Sequence, residues 1–120
     1  MTMKKLRVLL ASAMVLTFSF SVTAIAAYNT FADGRASGTL NCYYSGQLRS
    51  HSASTSSDGY NVKLKVTGTY SNGSEDIYET ERVPNYVSTS SGYDWVEDFA
   101  SLHQAFRGDS EIGKMNLSAD

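Results

Sequence analysis

The chain has 120 residues, with ten Lys and Arg against twelve Asp and Glu, a formal net charge of −2 and one cysteine. A chain of this size holds one domain, its acid excess steers it away from nucleic acid and anionic membranes, and a lone cysteine excludes an internal disulfide. Stability must then come from packing.

The first stretch reads as an export signal. Lys4, Lys5 and Arg7 form a positive n-region, and Val8 to Val22 is apolar with Ser and Thr interruptions. Ala24-Ile25-Ala26-Ala27 supplies the small residues of a cleavage site after Ala26 or Ala27. Residues 1–27 are therefore expected to be removed, and the protein to be secreted. Removing the three basic residues raises the acid excess of the remaining chain. Nothing after Ala27 is apolar enough to span a membrane, so no membrane span is expected after cleavage.

Residues 28–34 are expected to be a flexible lead-in, followed by a domain over 35–108. From Arg35 the chain alternates, with Ala36, Gly38, Leu40, Cys42 and Tyr44 sharing one face. Ser45-Gly46 reads as a turn. Gln47 to Thr55 alternates weakly, with only Leu48 and Ala53 apolar, and is expected to be a solvated strand. Ser56-Ser57-Asp58-Gly59 reads as the next turn. Tyr60 to Tyr70 is the strongest strand, with Tyr60, Val62, Leu64, Val66, Gly68 and Tyr70 on one face and Asn61, Lys63, Lys65, Thr67 and Thr69 on the other.

Ser71-Asn72-Gly73-Ser74 is a hairpin signal. A two-residue loop would set Glu79 opposite Val66 and bury its carboxylate. A three-residue loop setting Tyr78 opposite Gly68, Thr80 opposite Val66 and Glu81 opposite Lys65 pairs opposite charges instead, and is the expected register. Pro84 is expected to end that strand, with a short strand over Tyr86–Thr89. Trp95, Phe99, Leu102 and Phe106 then have helical spacing. Read as a strand, the same segment places Val96, Ala100, Leu102 and Phe106 on one face. Residues 109–120 read as a loosely ordered polar tail.

Gly38-Thr39-Leu40, the Ser-Ala-Ser-Thr run at Ser52–Thr55, Thr67-Gly68-Thr69-Tyr70 and Ala100-Ser101-Leu102-His103 occur in that order. In these motifs the chain resembles a diffuse group of small, uncharacterised secreted β-rich proteins of Gram-positive bacteria. The resemblance implies that the Ala-Ser-x-His segment is a strand, and it implies no activity. The expected fold is thus all-β, a small antiparallel β-sandwich, with a C-terminal helix at about 94–107 as the alternative.

Chemistry is sparse. His51 and His103 lack the spacing of a metal motif, and no Gly-x-Ser-x-Gly elbow marks a nucleophile. Glu75, Asp76, Glu79 and Glu81 lack the ligand pattern of a calcium loop and read as a solvated edge that discourages aggregation. No catalytic, cofactor or metal residues are assigned, and an enzyme is not expected. Aromatic side chains stand out: Tyr43, Tyr86, Tyr93 and Trp95 are candidate contacts for a partner, an extracellular protein or a glycan. The expected function is a non-enzymatic, monomeric extracellular interaction module. The alternative is a bacteriocin-like antimicrobial, on likeness of size, export route and composition.

Overall fold

A computed structural model describes residues 23–119, with side chains from Ala26. The chain is all-β, and no helix occurs among the described residues. Its strands are β1 (Thr23–Phe31), β2 (Ala36–Ser45), β3 (Leu48–Thr69), β4 (Glu75–Glu79), β5 (Val83–Ser90), β6 (Asp98–Arg107) and β7 (Ser110–Ala119). They form one antiparallel sheet of seven strands in the order β1-β2-β3-β6-β7, with β4 and β5 also paired to β3.

β3 is the spine. Its first half pairs with β2 on one edge and β5 on the other, and its second half pairs with β6 and β4 in the same way. β1 and β7 meet, as do β2 and β7 and β2 and β6, so the sheet is folded on itself and approaches a barrel. The two layers enclose Phe31, Leu40, Cys42, Val62, Leu64, Val66, Val87, Val96 and Phe99. Full burial of a Leu or Val side chain contributes about 2 kcal/mol.

The expected turn at Ser56–Gly59 is not a turn. β3 runs through it with a shift of register against β5 between Ser56 and Asn61. Before the shift the core face carries His51, Ala53 and Thr55; after it, Val62, Leu64, Val66 and Gly68. A strand can change parity in this way only through a bulge. Gly59 takes φ +95° there, and its N–H donates to Asn85 Oδ1 at 2.9 Å. The Ser57 hydroxyl donates to the Tyr60 carbonyl at 2.9 Å and accepts from the Tyr60 N–H at 3.2 Å. Side chains thus satisfy backbone groups that the interrupted ladder leaves over. The segment expected to be a solvated strand is therefore half core, because its His and Thr find polar partners inside. Pro84 does not end the preceding strand. It lies in β5 opposite Asn61, at this same irregularity, where a missing N–H costs the ladder nothing.

The β3–β4 hairpin has Val66 opposite Tyr78, Gly68 opposite Asp76 and Lys65 opposite Glu79. The expected register thus slips by two residues, because Tyr70 pairs with Ser74 and the loop is Ser71-Asn72-Gly73. Every side chain keeps its face. The ion pair forms between Lys63 and Glu79 at 3.0 Å, and the ring over Gly68 belongs to Phe99 of β6.

The helix alternative at 94–107 is overturned: β6 pairs with β3 and β7 along its length. Its buried face is Phe99, Ser101, His103 and Ala105, the opposite parity to the expected strand face, and Ala100 is exposed. The expected lead-in and tail are also strands. Residues 28–31 belong to β1 and residues 110–119 form β7, because each finds an open edge to pair with. The expected export signal lies outside the described residues up to Val22. Its last residues, Thr23–Ala27, pair with Leu40–Tyr44.

Candidate binding face

The outward face of β1, β2, the first half of β3, and β5 is built of short polar side chains. Directly opposed positions make rows across the sheet. Thr30, Ser37, Ser56 and Tyr86 form one; Tyr28, Thr39, Ser54 and Ser88 the next; Asn41, Ser52 and Ser90 a third. Tyr43 continues the series on β2. Alternation puts these residues outward because Ala36, Gly38, Leu40 and Cys42 of β2, and His51, Ala53 and Thr55 of β3, face the core. Ser37 Oγ lies 2.9 Å from Ser56 Oγ, and Thr39 Oγ1 lies 2.8 Å from Ser54 Oγ. These cross-strand hydroxyl bonds fix the side-chain rotamers and leave each pair with a spare donor and spare lone pairs.

Aromatic rings stand at both ends. Tyr28 and Tyr86 are 65% and 57% exposed. Tyr43 is half-buried; burial, together with nearby Tyr93, pushes its phenol pKa above the ordinary value. From Tyr43 to Ser37 along β2 is about 20 Å at strand rise. Of the four candidate contact residues, Tyr43 and Tyr86 share this face. Tyr93 and Trp95 belong to the 91–97 connection and are exposed. That connection is anchored by backbone bonds between Asp94 and Arg49 and by the Tyr70 hydroxyl, which lies 3.0 Å from Asp94 Oδ2. Sequence reasoning missed Tyr28 and the hydroxyl rows, since the alignment of four strands is not written in any one of them.

A shallow groove of about 240 Å³ closes the Tyr86 end, lined by Tyr28, Thr30, Arg35, Ser37, Ser56 and Asp58 among others. Beyond it, Arg35 Nη1 and Arg107 Nη2 both donate to the Tyr60 hydroxyl oxygen, at 3.1 and 3.5 Å. These arginines, Arg107 foremost, lower the Tyr60 phenol pKa. A second groove, over outward side chains of β6 and the second half of β3, is lined by Lys63, Glu79, Glu81, Arg82, Gln104 and Phe106. There Lys63 and Glu79 already engage each other, and Arg82 lies over the Phe106 ring.

The histidines are internal. His103 Nδ1 is 2.7 Å from Thr55 Oγ1, and its Nε2 is 2.7 Å from Ser101 Oγ. His51 Nε2 is 2.8 Å from Thr89 Oγ1, its Nδ1 is 3.2 Å from Ser91 Oγ, and its ring packs edge-on against Tyr78. Burial holds both imidazoles at about 4, below the ordinary 6.5, so both are neutral at pH 7. The Ser101–His103 contact has the spacing of a nucleophile and its base. With Ser101 3% exposed and His103 at 0%, no substrate reaches it.

No family model, curated protein or solved structure matches this chain.

Proposed function

We propose that this protein is a secreted, non-enzymatic module that binds a polysaccharide along the outward face of β1, β2, β3 and β5. The observation that carries this is the set of hydroxyl rows bounded by exposed Tyr28 and Tyr86. The buried centre of a protein–protein interface is more apolar than this face, and Ser is depleted in such interfaces. A sugar chain instead presents repeated hydroxyls that donate and accept along its length, with ring faces that lie on tyrosine. Rows repeating every second residue match a ligand that is itself repetitive. Cross-strand bonding fixes the rotamers in advance, so little entropy is lost on binding.

Export with cleavage after Ala26 or Ala27 forms part of this reading. It keeps Tyr28 and Thr30, and so the two rows that contain the exposed tyrosines.

Native electrophoresis of the protein through gels containing soluble polysaccharides tests the proposal. At least one polysaccharide is expected to retard the protein, with retardation lost in the Tyr28→Ala/Tyr86→Ala double variant. Both positions are exposed, so the variant keeps its fold. Unretarded migration throughout, with capture of an extracellular protein instead, overturns the choice of ligand. Clearing zones on lawns of related Gram-positive bacteria would favour the antimicrobial alternative.

A further inference from the structure

We propose that the polysaccharide bound by this face carries an oxyanion, a carboxylate, phosphate or sulfate group, held between the guanidinium groups of Arg35 and Arg107. This rests on the polysaccharide reading above and adds the chemical class of the ligand.

Three separate parts of the chain meet at the site. Arg35 precedes β2, Tyr60 follows the bulge of β3, and Arg107 ends β6. Both guanidinium groups reach one phenol oxygen, Arg35 at 3.1 Å and Arg107 at 3.5 Å. Both also lie near the Tyr60 ring, at 5.9 and 5.6 Å from its centroid. A phenol oxygen has two lone pairs, so Tyr60 is filled as an acceptor while each guanidinium keeps further N–H donors. Two like charges are thereby fixed close together.

Among the described residues no carboxylate forms an ion pair with either of them; the ion pairs there are Lys63 with Glu79 and Arg82 with Asp109. Asp58 lines the neighbouring groove and donates its backbone N–H to the Arg35 carbonyl at 3.4 Å, but its carboxylate forms no ion pair with either arginine. Such a pair of planar, forked donors is the arrangement that takes a carboxylate, phosphate or sulfate group by parallel charge-assisted bonds. Arg35 also lines the groove shared with Tyr28, Thr30, Ser37 and Ser56, so the charged site continues the hydroxyl rows. The chain as a whole is acidic. General adhesion to polyanions is therefore disfavoured, and recognition depends on short bonds at this one place.

The test uses the protein as produced from the full chain, labelled with ¹³C at its tyrosine rings. Titration with inorganic phosphate and with sulfate is expected to saturate and to move the Tyr60 resonance, assigned through Tyr60→Phe. In parallel, native electrophoresis compares neutral dextran with sparsely carboxymethylated dextran. The Arg35→Gln/Arg107→Gln double variant is expected to lose about tenfold in affinity for the carboxymethylated polymer, as the loss of charge-assisted bonds requires. Its response to neutral dextran should not change. Tyr60→Phe, which frees the two arms, is expected to weaken oxyanion binding with the fold intact by circular dichroism. Saturable phosphate binding that needs both arginines, with no retardation by any neutral or anionic polysaccharide in the gels, would keep the oxyanion site and overturn the polysaccharide face. An unmoved Tyr60 resonance, or a double arginine variant that binds the carboxymethylated polymer like the native chain, overturns the oxyanion site.

Discussion

The His103 ring fills the space that a side chain at Gly38 would need. A Cβ at Gly38 would stand 2.5 Å from Nδ1, 2.7 Å from Cγ and 2.8 Å from Cε1 of that ring. β2 and β6 are not paired in the sheet, so this contact is one of those that close the layers on each other. The missing side chain on one layer is what admits an imidazole from the other, and the imidazole in turn takes Thr55 and Ser101 as its hydrogen-bond partners.

Gly38→Ala should therefore be costly. His103 is fully buried and held at both nitrogens, so it cannot swing away. The variant must strain the layers or break buried hydrogen bonds, at about 2–4 kcal/mol. Urea unfolding measures this, and a midpoint within error of the native protein would refute the packing described.

Acid should weaken the fold through the two histidines. In the unfolded chain each titrates near 6.5, whereas in the fold burial holds each to about 4. Between those values the unfolded state binds more protons, so stability falls as pH drops from about 6.5 to about 4. The loss is about 1.4 kcal/mol per pH unit for each histidine, ~3 kcal/mol apiece by the end. Unfolding midpoints at pH 7 and 4.5 give the comparison. Equal midpoints would mean that the rings are solvated.

Val66→Asp should prevent folding or nearly so. Val66 is fully buried, opposite Tyr78 on one side and Ser101 on the other. Neither neighbour is a cation, so the carboxylate would be desolvated without a partner, a cost of more than about 4 kcal/mol. Loss of soluble protein, or of cooperative thermal unfolding, is the expected readout. A cooperative transition near the native midpoint would contradict the assignment of this face to the core.

Cys42 should react slowly. Its side chain is fully buried on the core face of β2, where a thiol is shielded from reagents. A thiol reagent should label the native protein far more slowly than the protein in denaturant. The native protein should also run as a monomer on non-reducing gels. Fast native labelling, or a dimer band removed by reductant, would place the sulfur at the surface.

Local alternation in the sequence determined much of this fold. Ala36 to Tyr44 and Val62 to Val66 declare their buried faces, because a strand's side chains alternate whatever its partners. The same parity put Cys42 inside. Tertiary structure decided what depended on partners. Helical spacing from Trp95 to Phe106 gave way to β6 because β3 and β7 offered ladder bonds on both edges. Ser56–Gly59 carries turn residues, yet β2 and β5 hold the chain straight and turn it into a bulge. His51, Thr55, Ser101 and His103 are polar, and their burial is tolerable because His103 bonds Thr55 and Ser101 while His51 bonds Thr89 and Ser91. The candidate face was the least legible part. Tyr43 and Tyr86 could be singled out as aromatics, but the hydroxyl rows and the meeting of Arg35 with Arg107 exist only between segments far apart in the chain. Register and layer closure create them, and no local pattern encodes either.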